Sequence, residues 1–265
     1  TKEGCATGDC GACTILVGEE KLNSNGEPVW HYKTMNSCLL LLGNAHAKHI
    51  VTVEAVTTGL YPTLNDLHPV QRALVECHGS QCGFCTPGII MSMLALYINN
   101  PSYPGKKAAI HALGGNLCRC TGYSPILLAV EKAYRYERKN EPYSAMAAQF
   151  KASLNTQHDD DVPFLKNGPR TFYLPQSAAQ LVELKARYPQ AHLVAGGTDF
   201  AIELSQNMLL PDIIISLSQT SELCTLSDNN GELHIGAALP YSQFIEAFYT
   251  YYPESKELFE RLGSN

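Results

Sequence analysis

The spacing of the cysteines constrains this chain more than any other feature. The chain has ten cysteines, and all but Cys224 precede residue 121. Cys5, Cys10 and Cys13 read C-x4-C-x2-C, with Cys38 further along; plant-type ferredoxins use this spacing to hold a 2Fe–2S cluster. Gly4, Gly8 and Gly11 interleave the first three, so a tight loop can curl with backbone N–H groups turned towards sulfur. Zinc ranks behind iron–sulfur here, because structural zinc favours two C-x2-4-C pairs over an uneven triplet plus one, and disulfides rank third. A second set joins Cys82 and Cys85, as C-x2-C, to Cys118 and Cys120, as C-x-C. A lone C-x2-C is ambiguous among thioredoxin-like, rubredoxin-like and zinc sites. Here each motif precedes a helix opened by proline, so four thiolates would gather beside helix N-termini that stabilise negative sulfur. Cys77 and Cys224 have no such partners and read as small core residues.

Around these motifs the hydrophobic pattern changes twice. Strands are predicted over residues 14–17, 29–35 and 49–53, the first two joined through Asn23-Ser24-Asn25-Gly26, where Asn-Gly suits the positive φ of a hairpin. From residue 66 to about 139 the pattern is helical. Pro69, Pro87 and Pro125 suit first turns, Thr86 and Ser124 read as N-caps, and Gly114-Gly115 ends the helix predicted over 108–113. Periodicity then fades, and Asp159-Asp160-Asp161, Pro163 and Asn167-Gly168-Pro169 read as linker. Beyond it the pattern is mixed. A Ser177/Gln180 capping box opens a helix to 188, strands follow at 192–195 and 213–217, and a hairpin is predicted over 223–227 and 232–237. Helices over 242–250 and 255–262 complete the pattern.

The strings TKEGCATGDCGACTI, CHGSQCGFCTPGIIMSM and GGNLCRCTGYSPI closely resemble the xanthine dehydrogenase family of molybdenum hydroxylases. The resemblance runs from Thr1 and is most specific through Tyr123. It implies an α+β multidomain chain: a ferredoxin-like β-grasp 2Fe–2S domain over residues 1–61 whose first strands are missing, a helical-bundle 2Fe–2S domain over 62–140, a linker over 141–168, and the first part of an α/β FAD-binding domain over 169–265. It further implies that Gln81 and Cys120 approach a molybdopterin held by another domain or subunit, so a molybdopterin-binding partner and a dimeric assembly are expected.

Leu193-Val194-Ala195-Gly196-Gly197-Thr198-Asp199-Phe200 joins a predicted strand to a predicted helix. Glycines at such a turn allow a pyrophosphate to approach backbone N–H groups. Alone the pattern is weak, and it lacks the spacing of a nicotinamide Rossmann fingerprint. The resemblance makes it the first FAD-contacting loop, with NAD+ or oxygen as electron acceptor. Within that family, aldehyde oxidases and other N-heterocycle hydroxylases share the same motifs; outside it, a zinc-stabilised module or a free-standing ferredoxin are the rivals.

Composition narrows the remainder. A net charge of −6 with no basic cluster argues against nucleic acid. The apolar run 89–98 is half the roughly 20 residues a bilayer requires, and no secretory signal is visible, so a cytoplasmic protein is expected. Both ends read as cut. The histidines fall in no H-x-x-x-H or H-E-x-x-H array, no nucleophile elbow or P-loop is present, and no catalytic acid/base dyad stands out. Tyr241, Tyr249, Tyr251 and Tyr252 read as packing residues.

Overall fold

The computed structural model describes residues 1–22, 25, 26, 28–57, 59, 61–138, 141, 162 and 164–262. Asn23 and Ser24 of the expected hairpin turn, and Asp159, Asp160, Asp161 and Pro163 of the expected linker, lie outside the described residues. Two compact units emerge. The first takes in Thr1–Cys38 and the described part of Ala47–His158; the second takes in Leu39–His46 and the described part of Asp159–Gly263.

In the first unit, strands Thr14–Leu22 (β1), Pro28–Asn36 (β2) and His49–Val51 (β3) form an antiparallel sheet in the order β2-β1-β3. β1 runs five residues past its expected end, paired with β2 from Thr14 opposite Asn36 to Leu22 opposite Pro28. Polar Glu19, Glu20 and Lys21 hid that extension from the hydrophobic pattern, yet ladder hydrogen bonds do not depend on side-chain polarity. Lys48 at 2.6 Å and Lys33 at 3.2 Å both pair with Glu19. β3 is shorter than expected, because the chain tightens into a 3-10 turn at Val53–Ala55.

Four helices follow: Pro69–Glu76 (α1), Thr86–Asn99 (α2), Lys106–Ala112 (α3) and Ser124–Ala133 (α4). Thr86 and Ser124 are not N-caps but first helical residues; Cys85 and Tyr123 precede them, and Pro87 and Pro125 still fall where no N–H is required. His68 caps α1 instead, its Nδ1 accepting from Val70 N at 3.3 Å. α2 is apolar on nearly all sides and forms the centre of the core. Ile89, Met91, Met93, Leu94 and Tyr97 bury against Leu16 and Val51 of the sheet, Val70 and Leu74 of α1, and Ile126 and Val130 of α4. Sheet and helices therefore share one core, and both cysteine sets are carried by it.

In the second unit, Phe164–Asn167 (β4), Arg170–Tyr173 (β5), His192–Val194 (β6) and Ile213–Ser216 (β7) form a mixed sheet in the order β4-β5-β7-β6. β4 and β5 are antiparallel, so the turn at Gly168, expected to end the linker, closes a hairpin inside this unit. The other pairs are parallel, joined through helices Ala178–Arg187 (α5) and Thr198–Gln206 (α6). Only half of the expected capping box forms. Ser177 Oγ accepts from Gln180 N, but Gln180 Oε1 accepts from Gln176 N, one residue upstream of the cap. Leu223 and Cys224, expected in the first hairpin strand, end a 3-10 turn over Ser221–Cys224 held by Ser221 N donating to Gln176 O; the hairpin is confined to Leu226–Asn229 (β8) and Glu232–Ile235 (β9). Helices Tyr241–Tyr251 (α7) and Lys256–Glu260 (α8) pack through Tyr241, Phe248, Tyr249 and Phe259, as the aromatic pattern suggested.

The segment Leu39–His46 belongs to this unit, although the domain reading placed it with the ferredoxin-like block. Asn44 is buried there, accepting from Ser216 Oγ at 2.6 Å and Ser218 Oγ at 3.3 Å. Among the described residues, no helix is long and apolar enough to cross a membrane.

Candidate functional site

The first cysteine loop precedes β1. Its curl needs left-handed backbone at Ala6, Gly8 and Gly11, and at Gly11 a side chain is also excluded sterically, because a Cβ would collide with Gly115 O. Asn36, at the end of β2, pins the loop by donating to Gly8 O at 2.8 Å. Thr7 N and Cys10 N both point at Cys5 Sγ, at 3.5 and 3.4 Å. Burial disfavours the Cys5 thiolate, but these donors outweigh it and hold the thiol at about 6, so Cys5 is charged near neutral pH. Cys13 and Cys38 approach each other at 3.3 Å between sulfurs. Burial, with Cys13 beside it, pushes Cys38 up to about 12.

The second set lies at the start of α2 and just ahead of α4. Cys82 and Cys120 face each other, as do Cys85 and Cys118. The Phe84 backbone N–H and then the Cys120 thiol lower Cys82, while Cys120 is raised by the partner it donates to. Burial and the neighbouring Cys118 push Cys85 up to about 12; burial opposes ionisation of Cys118 too, but the Thr121 hydroxyl at 3.2 Å and backbone donors lower it. In each facing pair one thiol is thus held below its ordinary range and its partner above it.

Among the described residues, no three His, Cys, Asp or Glu side chains converge as a single-ion site. A mononuclear tetrahedral zinc needs four donors on one ion. Sulfurs meeting in twos match instead a binuclear cluster, in which each iron takes two thiolates. Four thiols at each place fit the donor set of a 2Fe–2S cluster.

The two sets adjoin. Leu117 N, next to Cys118, donates to Cys10 O at 2.9 Å, and Lys2 Nζ donates to Gly83 O at 2.8 Å. Gln81 is exposed beside Cys82, and Cys120 is also exposed. Cys77, at the C-cap of α1, packs against the core, and Cys224 contacts carbonyls of the second unit.

In the second unit, β6 delivers the chain to Ala195 and Gly196, and α6 begins at Thr198. Gly197 is left-handed at φ +79, and a Cβ there would press on Val194 Cγ1 at 3.0 Å. A Cβ at Gly196 would meet nothing within 4 Å. The loop thus presents bare backbone to open space ahead of a helix N-terminus, a fit for pyrophosphate. The eight expected loop residues divide in role. Val194 is buried, and Phe200 leans on His192 at 5.4 Å between rings, so these two serve packing. Leu193, Gly196, Thr198 and Asp199 are exposed. Asp199 suits the positive end of the helix but would repel a phosphate, which leaves Gly196, Gly197 and Thr198 as the anion-facing group.

Sequence reasoning missed the residues that brace these sites: Asn36, Asn116, Tyr123, whose hydroxyl accepts from Cys118 N at 2.8 Å, and Asn44. Asn116 and Tyr123 lie within the GGNLCRCTGYSPI string but carry no ligand chemistry of their own.

Residues 52–131 match the family model described as 2Fe-2S binding domain, and residues 166–265 match that of the FAD binding domain in molybdopterin dehydrogenase. Xanthine dehydrogenase 1 of Arabidopsis thaliana is 32% identical across 94% of this chain and 22% of its own length. Aldehyde oxidase 3 of Rattus norvegicus is 33% identical across 92% of this chain and 20% of its own length. Xanthine dehydrogenase of Drosophila subobscura is 33% identical across 90% and 20%, respectively. The chain spans about a fifth of the length of these relatives. The chain is thus similar to xanthine dehydrogenases and aldehyde oxidases along most of its own length, with one stretch matching an iron–sulfur model and another a flavin model.

Proposed function

We propose that this chain is the electron-transfer part of a xanthine dehydrogenase-like molybdenum hydroxylase, serving purine oxidation at a molybdopterin site in a partner domain or subunit. Cys5, Cys10, Cys13 and Cys38 would hold one 2Fe–2S cluster in a β-grasp arrangement, and Cys82, Cys85, Cys118 and Cys120 a second among the helices. When bound, the clusters supply one-electron transfer and the flavin collects two electrons for NAD+ or oxygen. The chain's own residues fix the geometry. Leu117 N on Cys10 O joins the two quartets by one main-chain hydrogen bond, and this contact carries the reading. Gln81 and Cys120, both exposed, form the face towards the molybdopterin partner. Gly196, Gly197 and Thr198 seat the FAD pyrophosphate. The 33% identity to an aldehyde oxidase supports a second reading, the same role with an aldehyde or N-heterocycle as substrate.

The test is EPR of the dithionite-reduced protein together with metal analysis. Two rhombic iron–sulfur signals and about four irons per chain are expected, two for each cluster. One signal, or zinc in place of iron, defeats the two-cluster reading.

A further inference from the structure

The two cysteine quartets are braced by a side chain that is not a cysteine. Asn116, two residues ahead of Cys118, is only 3% exposed. Its Nδ2 donates to Gly11 O at 3.0 Å and to Thr14 Oγ1 at 3.1 Å, while its Oδ1 accepts from Ser92 Oγ at 2.5 Å. An asparagine amide offers two N–H donors and one carbonyl oxygen, so every group is engaged. The orientation follows from the partners: turned over, Oδ1 would face the Gly11 carbonyl, which has nothing to donate. Thr14 closes the ring by giving its hydroxyl hydrogen to Gly11 O at 2.6 Å, which leaves its lone pairs free to accept from Asn116.

The partners come from different pieces of the chain. Gly11 lies between Cys10 and Cys13, and Thr14 follows Cys13. Ser92 sits on α2, the helix that starts just after Cys85. Asn116 itself leads into Cys118 and Cys120. The junction is also closed sterically, since a Cβ at Gly11 would strike Gly115 O and one at Gly88 would strike Gly11 O. Neither loop can slide without breaking the amide's bonds.

We propose that Asn116 is a positioning residue for both quartets, fixing the loop of Cys10 and Cys13 against the loop of Cys118 and Cys120, so that the surroundings of both clusters depend on one buried amide. This rests on the two-cluster reading above. Its consequence differs from ordinary packing: loss of the amide, or of the Ser92 donor that orients it, changes two spectroscopically separate centres at once, and loss of the Thr14 hydroxyl changes the first alone.

The experiment uses the full-length, cluster-loaded protein, reduced with dithionite, with EPR line shape, midpoint potential and iron content read for each variant. Asn116→Ala should shift or broaden both iron–sulfur signals and move both potentials. Thr14→Val keeps the side-chain shape but removes the hydroxyl that accepts from Asn116 Nδ2 and donates to Gly11 O, and should move the first signal alone. Ser92→Ala removes the donor that orients the amide, and should move both in the direction of Asn116→Ala. Asn100→Ala is the control, because its amide donates to Leu96 O at 2.8 Å and touches neither loop; both signals should stay in place. If Asn116→Ala does not fold, Thr14→Val and Ser92→Ala decide the matter. Wild-type spectra and potentials in Asn116→Ala, or in both single-arm variants, overturn the proposal while leaving two clusters intact. A wild type with one signal overturns the two-cluster reading and the bridge with it.

Discussion

Gly88→Ala tests the packing between the cysteine loops through the sign of its effect. Gly88 is buried in the first turn of α2. In an open helix the change would gain about 1 kcal/mol of helix propensity. Here the added Cβ runs into Gly11 O, with Gly11 C at 3.0 Å and Asn116 Nδ2 at 3.1 Å behind it. The obstruction is backbone, so no rotamer change relieves it, and overpacking of this kind costs roughly 1–3 kcal/mol. Moving Gly11 O aside also disturbs its hydrogen bonds from Thr14 N, Thr14 Oγ1 and Asn116 Nδ2, at 3.1, 2.6 and 3.0 Å. Each such bond is worth about 1 kcal/mol. Loss of all three would put the cost above the gain by about 3–5 kcal/mol, which corresponds to a fall on the order of 10–20 °C in the unfolding midpoint of a unit this size. The assay is thermal bleaching of the iron–sulfur absorbance expected of the loaded protein, read at long visible wavelengths where flavin does not absorb. A midpoint equal to or above wild type would refute the close packing of Gly88 on Gly11.

Two further outcomes follow from named contacts. Lys132, Tyr136 and Arg72 hold the Glu76 carboxyl down at about 2, against an ordinary value of 4.5. The stability it confers is therefore complete above pH 4.5 and lost as pH falls towards 2. Glu76→Gln should lower the urea midpoint at pH 7, and the gap to wild type should close between pH 4.5 and 2; a gap constant over that range argues against the carboxylate's role. Gly196→Ala places a methyl where nothing lies within 4 Å, so the melting midpoint should stay within the roughly 0.5 kcal/mol of an ordinary surface change. FAD affinity of the full-length protein should fall about tenfold, or ~1.4 kcal/mol; unchanged flavin retention on dilution would remove Gly196 from the cofactor loop.

The sequence displayed the candidate ligands well and their supports poorly, for a physical reason. A thiolate quartet demands one residue type at fixed spacings, so Cys5 to Cys120 are conspicuous. The braces are Asn36, Asn116 and Tyr123, residue types that serve equally in turns, caps and solvent, and what they do depends on partners as distant as the 105 positions separating Asn116 from Gly11. The same reasoning accounts for the strand misjudged in length. Glu19, Glu20 and Lys21 break the apolar pattern of β1, but backbone pairing with β2 continues beneath them. Leu223 and Cys224 misled in the opposite direction: they were expected to open a strand, whereas they complete a 3-10 turn in which Glu222 accepts from Ala178 N at the start of α5.

Domain assignment shows the limit most clearly. Periodicity separates a β block from a helical block near residue 61, yet Leu16 and Val51 bury with Ile89, Leu94 and Ile126 in one core. Local pattern reports which face of an element is apolar, and is silent on which neighbour covers that face. A shared core has a chemical consequence. Were each quartet carried by a separately folded domain, the distance between them would vary with domain motion, and transfer between bound clusters would be gated by docking. With α2 packed against β1 on one side and against α1 and α4 on the other, the loops of Cys10 and Cys118 are attached to a single body. The hydrogen bond from Leu117 N to Cys10 O, at 2.9 Å, is then a fixed part of the fold rather than an encounter.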